Sequence, residues 1–176
     1  MLADAGTYGA AMSSHGSPHH GPLADEAADD HPASEMLDLA RDECLRLLAA
    51  NRFGRLVAAL ADGAPVIRPV NYAFDEPSQS VVFRTSDGSK LHAVLQAAEA
   101  AFEIDGIDDG SRTGWSVIVR GVAEEVTNST DTRRLDAIGL APWAPGRKRR
   151  WVRIRAWTVS GRRIVLSSRA AARPTA

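Results

Sequence analysis

From Arg52 onward, apolar residues recur at every second position, in short runs broken by polar turns. A period of two sends alternate side chains to opposite faces, the pattern of strands half-buried against a core. Six strands are expected on this basis, over 52–60, 66–74, 80–85, 100–105, 115–126 and 151–165. Segments such as Ala61-Asp62-Gly63 and Glu76-Pro77-Ser78 are too short for the crossover that parallel pairing requires. The class is therefore mainly β (α+β) and antiparallel, and six strands close most simply into a small barrel. In the second run Val66, Val70, Tyr72 and Phe74 share one face, while Ile67, Pro69, Asn71 and Ala73 occupy the other. Pro69 lacks an amide hydrogen and so marks an edge or a bulge.

Short helices flank these strands. Ala40, Cys44, Leu47 and Leu48 fall on one face at helical spacing, predicting a helix from near Leu37 to Asn51 with Cys44 as a core thiol. Further helices are expected over 89–98, carrying Leu91, Val94 and Leu95, and over 129–138, with loops at 106–114 and 142–146.

Residues 1–34 hold five acids and no Lys or Arg, and show no apolar periodicity. Such a segment buries too little surface to offset its ordering entropy. We expect residues 1–35 to be a disordered tail, 36–168 the folded domain and 169–176 a flexible C-terminal tail. Met36 is a candidate start for the working protein. His15, His19, His20 and His31 are read as solvated tail residues and not as a metal site. A single cysteine excludes an internal disulfide and a CxxC pair. No run approaches the roughly 20 apolar residues of a membrane span, and no secretory leader is recognisable, so a cytoplasmic location is expected.

Charge is uneven. The net value is −1, yet the stretch from Arg147 to Arg173 has ten basic residues and no acid. That favours anionic partners without choosing between a phosphate cofactor and nucleic acid. The run Arg147-Lys148-Arg149-Arg150 has no accompanying aromatic stacking motif, so nucleic acid is disfavoured. It reads as a solvated loop or one reaching over a ligand.

The chemistry concentrates in Val82-Phe83-Arg84-Thr85-Ser86-Asp87-Gly88-Ser89-Lys90-Leu91, a strand end, a glycine turn and a helix start. Arg84, Thr85, Ser89 and Lys90 bring two cations and two hydroxyls within seven residues, beside amides suited to a phosphate. The order Gly88-Ser89-Lys90 is not that of a P-loop. The same spacing also serves a surface turn capped by Ser89, and the residues alone leave both readings open.

Together with Pro69-Val70-Asn71-Tyr72 and the run from Gly114-Trp115-Ser116-Val117 to Ala123-Glu124, this segment resembles the pyridoxamine 5′-phosphate oxidase-like, FMN-binding split-barrel family. More narrowly it is similar to the actinobacterial and nitroimidazole-reductase-like branch, over about residues 37–166. The resemblance implies an antiparallel six-stranded split β-barrel and a homodimer with FMN between subunits. By position, the phosphate would lie against Arg84, Thr85, Ser89 and Lys90. Arg68, Pro69, Val70, Asn71 and Tyr72 would follow the isoalloxazine and ribityl chain through backbone groups. Ser116 stands where a flavin-contacting glutamine is usual, flanked by Trp115 and Val117.

There are departures. The C-terminal substrate run of true pyridoxamine-phosphate oxidases has no counterpart, and Arg84 stands near the histidine common in nitroimidazole reductases. The expectation is a flavin-dependent oxidoreductase transferring a hydride or electrons to a small molecule, with no dedicated catalytic residue named. A deazaflavin (F420) reductase on the same barrel, or a non-enzymatic flavin- or haem-binding protein, are the alternatives.

Other candidates carry less. His92 is the only histidine of residues 36–176 and reads as a surface residue, so no metal site is expected. Asp105, Asp108 and Asp109 read as a solvated hairpin end. Trp143, Trp151 and Trp157 are assigned to packing or to a cleft wall. No Ser-His-Asp arrangement can be built on one histidine without a nucleophile elbow.

Overall fold

The computed structural model describes residues 33–59, 63–86, 88, 95, 97 and 99–167. The expected tail disorder, most of the helix over 89–98, Ser89, Lys90 and His92 lie outside the described residues.

The chain runs β1 (Ser34–Asp38), α1 (Arg41–Ala50), β2 (Phe53–Ala59), β3 (Pro65–Asp75), β4 (Ser80–Thr85), β5 (Ala100–Asp108), β6 (Thr113–Gly121), β7 (Ala123–Val126), α2 (Ser129–Asp136), β8 (Arg150–Arg155) and β9 (Thr158–Leu166). All strand pairs are antiparallel, in the order β1-β9-β6-β5-β2-β3-β4-β8-β7. The long β3 changes partner midway. Pro65–Asn71 pairs with β2, and Tyr72–Asp75 pairs with β4. This hand-over divides the sheet in two halves whose inner faces share one core of Leu56, Tyr72, Phe102, Val117, Val152 and Ile154. The fold is a mainly β, antiparallel split barrel.

Nine strands replace the expected six, for three reasons. The run 115–126 breaks after Gly121, so β6 stays with β5 and β9 while β7 joins β8. The run 151–165 breaks at Ala156-Trp157, where the Ala156 amide donates to the Gln79 carbonyl at 3.0 Å, and β8 and β9 enter different halves. Alternation continues through the first break. At the second it slips by one residue at the adjacent apolar pair Ala156-Trp157, from Val152 and Ile154 to Val159 and Gly161, which by itself does not name the new partner. Third, order begins before Leu37: Ser34–Asp38 pairs with β9 although all five side chains are exposed. An edge strand solvated on both sides has no apolar alternation to read. The loop expected at 106–114 is shorter, because β5 extends to Asp108 and β6 starts at Thr113.

β4 is buried on both faces. Val81 and Phe83 belong to the main core, whereas Val82 packs with Ala73, Val126, Leu135 and Trp151 beneath α2. That explains the unbroken apolar run Val81-Val82-Phe83. Asn128 caps α2 by accepting from the Thr130 and Asp131 amides at 2.8 and 3.2 Å. Arg134 pairs with Asp75, and Arg153 bridges Glu124 and Asp131. Burial alone would raise the Glu124 carboxyl, but hydrogen bonds from Arg153 and Arg155 outweigh it and hold it below the usual range.

α1 packs its buried Cys44 and Leu48 on the same core, and Arg163 of β9 reaches Glu43 at 2.6 Å. Gly161 permits this approach: a Cβ there would lie 2.7 Å from the Cys44 sulfur. Burial pushes the Cys44 thiol up from its ordinary value. Cys44 should therefore resist Ellman's reagent in the native protein and react fully in 6 M guanidinium. Rapid native labelling would mean that α1 does not seal this core.

Candidate functional site

The hand-over along β3 leaves one side of Pro65–Asn71 without a strand neighbour, since β4 pairs only from Tyr72. The Tyr72 amide donates to the Arg52 carbonyl at 3.0 Å. By the two-residue alternation of an antiparallel ladder, Arg68 and Val70 also turn their peptide groups to β2. Ile67, Pro69 and Asn71 turn theirs to the open side. Pro69 therefore removes no rung, and of the edge and the bulge it is the edge that it marks.

A cleft of about 570 Å³ lies along this open side, within the range of small-molecule sites. Arg68, Pro69, Val70 and Asn71 line it from β3, and Arg84, Thr85, Ser86 and Gly88 from the end of β4. Phe53 and Leu56 come from β2, and Pro142, Trp143, Ala144 and Lys148 from the loop between α2 and β8. Its described lining has three basic side chains, two hydroxyls and no carboxylate. Apolar and aromatic groups form the remaining wall. Such a lining suits an anion with a flat apolar body.

Arg84 is already engaged. Its Nη2 meets Asp136 Oδ1 at 2.9 Å, and its guanidinium lies 4.8 Å from the Trp151 ring centroid. The same Asp136 oxygen accepts from Trp151 Nε1 at 2.9 Å. Arg84 Nε is buried without a hydrogen-bond partner. The phosphate contact expected of Arg84 thus competes with a salt bridge to α2. Arg68 is exposed and Lys148 half-buried, and either meets an anion at a lower desolvation cost.

At one wall of the cleft, Phe53 and Trp143 stack at 5.5 Å with an interplanar angle of 11°. The Trp143 amide donates to Asn71 Oδ1 at 2.8 Å. Phe53, Trp143, Ser86 and Gly88 are members that the sequence reading did not assign to a ligand site. Trp143 is a possible cleft residue by its type, but nothing in the Ala- and Pro-rich segment around it fixes which cleft.

Four expected residues do not line this cleft. Tyr72 is fully buried, meets Phe102 edge to face at 4.7 Å, and donates its hydroxyl to the Leu48 carbonyl at 2.9 Å. Strand alternation turned its side chain into the core. Val117 is buried in the same core, and Trp115 packs against it. Ser116 faces outward between Asp105 and Arg162. β6 lies three places from β3 in the sheet, roughly 14 Å at about 4.8 Å per strand.

The family model described as pyridoxamine 5′-phosphate oxidase matches residues 40–163. An uncharacterised Mycobacterium tuberculosis protein, Rv0080, is 39% identical over 147 residues, covering 81% of this chain and 94% of its own. The solved FAD binding protein from Mycobacterium smegmatis is 36% identical with a TM-score of 0.62, covering 72% of this chain and 98% of that one. A FAD-binding protein from Mesorhizobium loti is 27% identical with a TM-score of 0.57, covering 73% and 97%. Among the described residues, no helix is long and apolar enough to cross a membrane.

Proposed function

Because the chain belongs to the pyridoxamine 5′-phosphate oxidase family, we propose that its cleft binds a flavin nucleotide and that the protein is a flavin-dependent oxidoreductase. The observation that carries this is the lining: three cations and two hydroxyls, no carboxylate, and a stacked aromatic pair in one cavity. FMN is the smallest species that uses all of it. The FAD bound by the mycobacterial and Mesorhizobium relatives would add an adenylate beyond the same phosphate.

Bound flavin supplies hydride or single-electron transfer. The chain's own residues do the rest. Arg68 and Lys148 neutralise the phosphate, and the Thr85 and Ser86 hydroxyls donate to its oxygens. The outward peptide groups of Ile67 and Asn71 and the Pro69 carbonyl hydrogen-bond to the polar edge of the ring. Phe53, Leu56, Val70 and Phe83 keep water from one wall. A small-molecule acceptor would enter from the exposed side.

A homodimer is part of the proposal. Cross-strand register sets the exposed side chains of Met36, Phe53, Ile67, Ile107, Ile118 and Ile164 on one outer face. These apolar side chains flank the ion pairs of Arg55 with Glu103 and Asp105 on the same face, a mixed apolar and charged surface of the kind that interfaces use. Phe53 belongs both to that face and to the cleft, so a partner docked there would bring the outward face of its own β6, with Ser116, toward the ligand.

Purified protein should show a flavin spectrum, or acquire one on titration with FMN or FAD, and light scattering should give twice the chain mass. Saturable binding of deazaflavin F420 or haem without flavin would keep the barrel and replace the cofactor. Absence of binding to all four at micromolar concentration, or a monomer at that concentration, would overturn the corresponding part.

A further inference from the structure

We propose that Trp143 is the platform on which the ligand's planar ring lies, and that Asn71 is a positioning residue that latches it there. This rests on the flavin reading and assigns the ring end of the cleft.

Trp143 is 75% exposed and Phe53 44% exposed, yet their rings are held nearly parallel. An indole so open to water would ordinarily sample several rotamers. Here two contacts from one cross-strand pair fix it. Phe53 and Asn71 stand directly opposite each other on β2 and β3. Phe53 takes the Trp143 ring, and Asn71 Oδ1 takes the Trp143 amide. Asn71 is 8% exposed, so this hydrogen bond is sheltered from competing water. The described part of the loop from Gly139 to Arg149 contains no regular element. Its attachment at Trp143 is therefore made by side chains of the barrel and not by a ladder.

The arrangement gives the cleft an exposed aromatic surface on the loop after α2, while Thr85 and Ser86 line the same cleft from the end of β4. A ligand with a planar aromatic system at one end and a phosphate at the other matches that polarity. Stacking on the indole adds dispersion and excludes water from one ring face.

The test uses full-length protein with FMN, in the wild type and in Trp143→Phe, Trp143→Ala, Asn71→Ala and Asn71→Asp. Flavin content is read by absorbance after denaturation, separately from the emission lifetime of the bound flavin. An indole in van der Waals contact quenches excited flavin by electron transfer, and a phenyl ring does not. Trp143→Phe should keep affinity within about threefold but lengthen the bound lifetime several-fold, whereas Trp143→Ala should weaken binding about tenfold or more. Asn71→Ala should give a heterogeneous, longer lifetime, and Asn71→Asp, which keeps the acceptor, should restore the short one. An unchanged lifetime in flavin-loaded Trp143→Phe overturns the ring assignment and leaves flavin binding intact. A wild type that takes up no flavin overturns the underlying reading, and the assignment with it.

Discussion

Charge reversal at the cleft, Arg68→Glu with Lys148→Glu, is expected to weaken flavin nucleotide binding by at least about a hundredfold. A hydrogen bond to an ionised group contributes roughly 1.5–3 kcal/mol, and a reversed charge adds repulsion to its loss. Because both side chains are solvent-accessible, the loss should shrink at high ionic strength, where a Debye length of about 3 Å at 1 M screens them. The fold should be indifferent, with a thermal midpoint moving by no more than about 2 °C, as for other surface substitutions. Fluorescence titration at two salt concentrations checks both statements. Equal affinity in variant and wild type would mean that the phosphate sits elsewhere. Arg84 is a poorer target for this purpose, since removing it also strips Asp136 of its cation beside Trp151.

Phe102→Ala is the substitution expected to cost the fold most, about 3–5 kcal/mol. Its ring is fully buried, meets Tyr72 edge to face at 4.7 Å, and covers Gly54, where any Cβ would come within 2.5 Å of it. A domain of this kind has a total stability of about 5–15 kcal/mol, so the urea midpoint should fall by a large fraction of its value. A loss below about 1 kcal/mol would show that the core closes over the space. The neighbouring Tyr72 hydroxyl, whose pKa burial raises above its ordinary value, stays neutral on the Leu48 carbonyl. The stability of that neutral form is complete below the ordinary tyrosine range and is lost as pH rises above it.

Period, turn chemistry and the double-sided burial of β4 were legible because each writes itself into neighbouring residues. Ser80–Thr85 is bounded as expected, and α2 and β3 differ from their expected ends by two residues or fewer. A change of partner is a different matter. The adjacent apolar pair Ala156-Trp157 slips the alternation by one residue, but nothing local says which half of the barrel each side reaches. The site followed the same rule. Arg68 to Asn71 and Arg84 to Thr85, which line the cleft, could be grouped from the sequence because they are consecutive in it. Phe53, Trp143 and Lys148 were not assigned together, because only the fold brings three distant segments to one cavity. Arg84 shows the converse: its residue type suggested a free anion ligand, and its partner Asp136 is 52 positions away.

The open side of β3 has a consequence for the protein before it acquires a ligand. A strand segment offering peptide groups to solvent invites a second chain to pair with it, the first step toward aggregates. Pro69 stands in the middle of that segment and withholds one of the amide donors that a docking strand would pair with. An antiparallel intruder meets a gap in the rungs at Pro69, while a small polar molecule loses little by it. The residue therefore makes the edge a poorer template for another strand than for a small polar molecule.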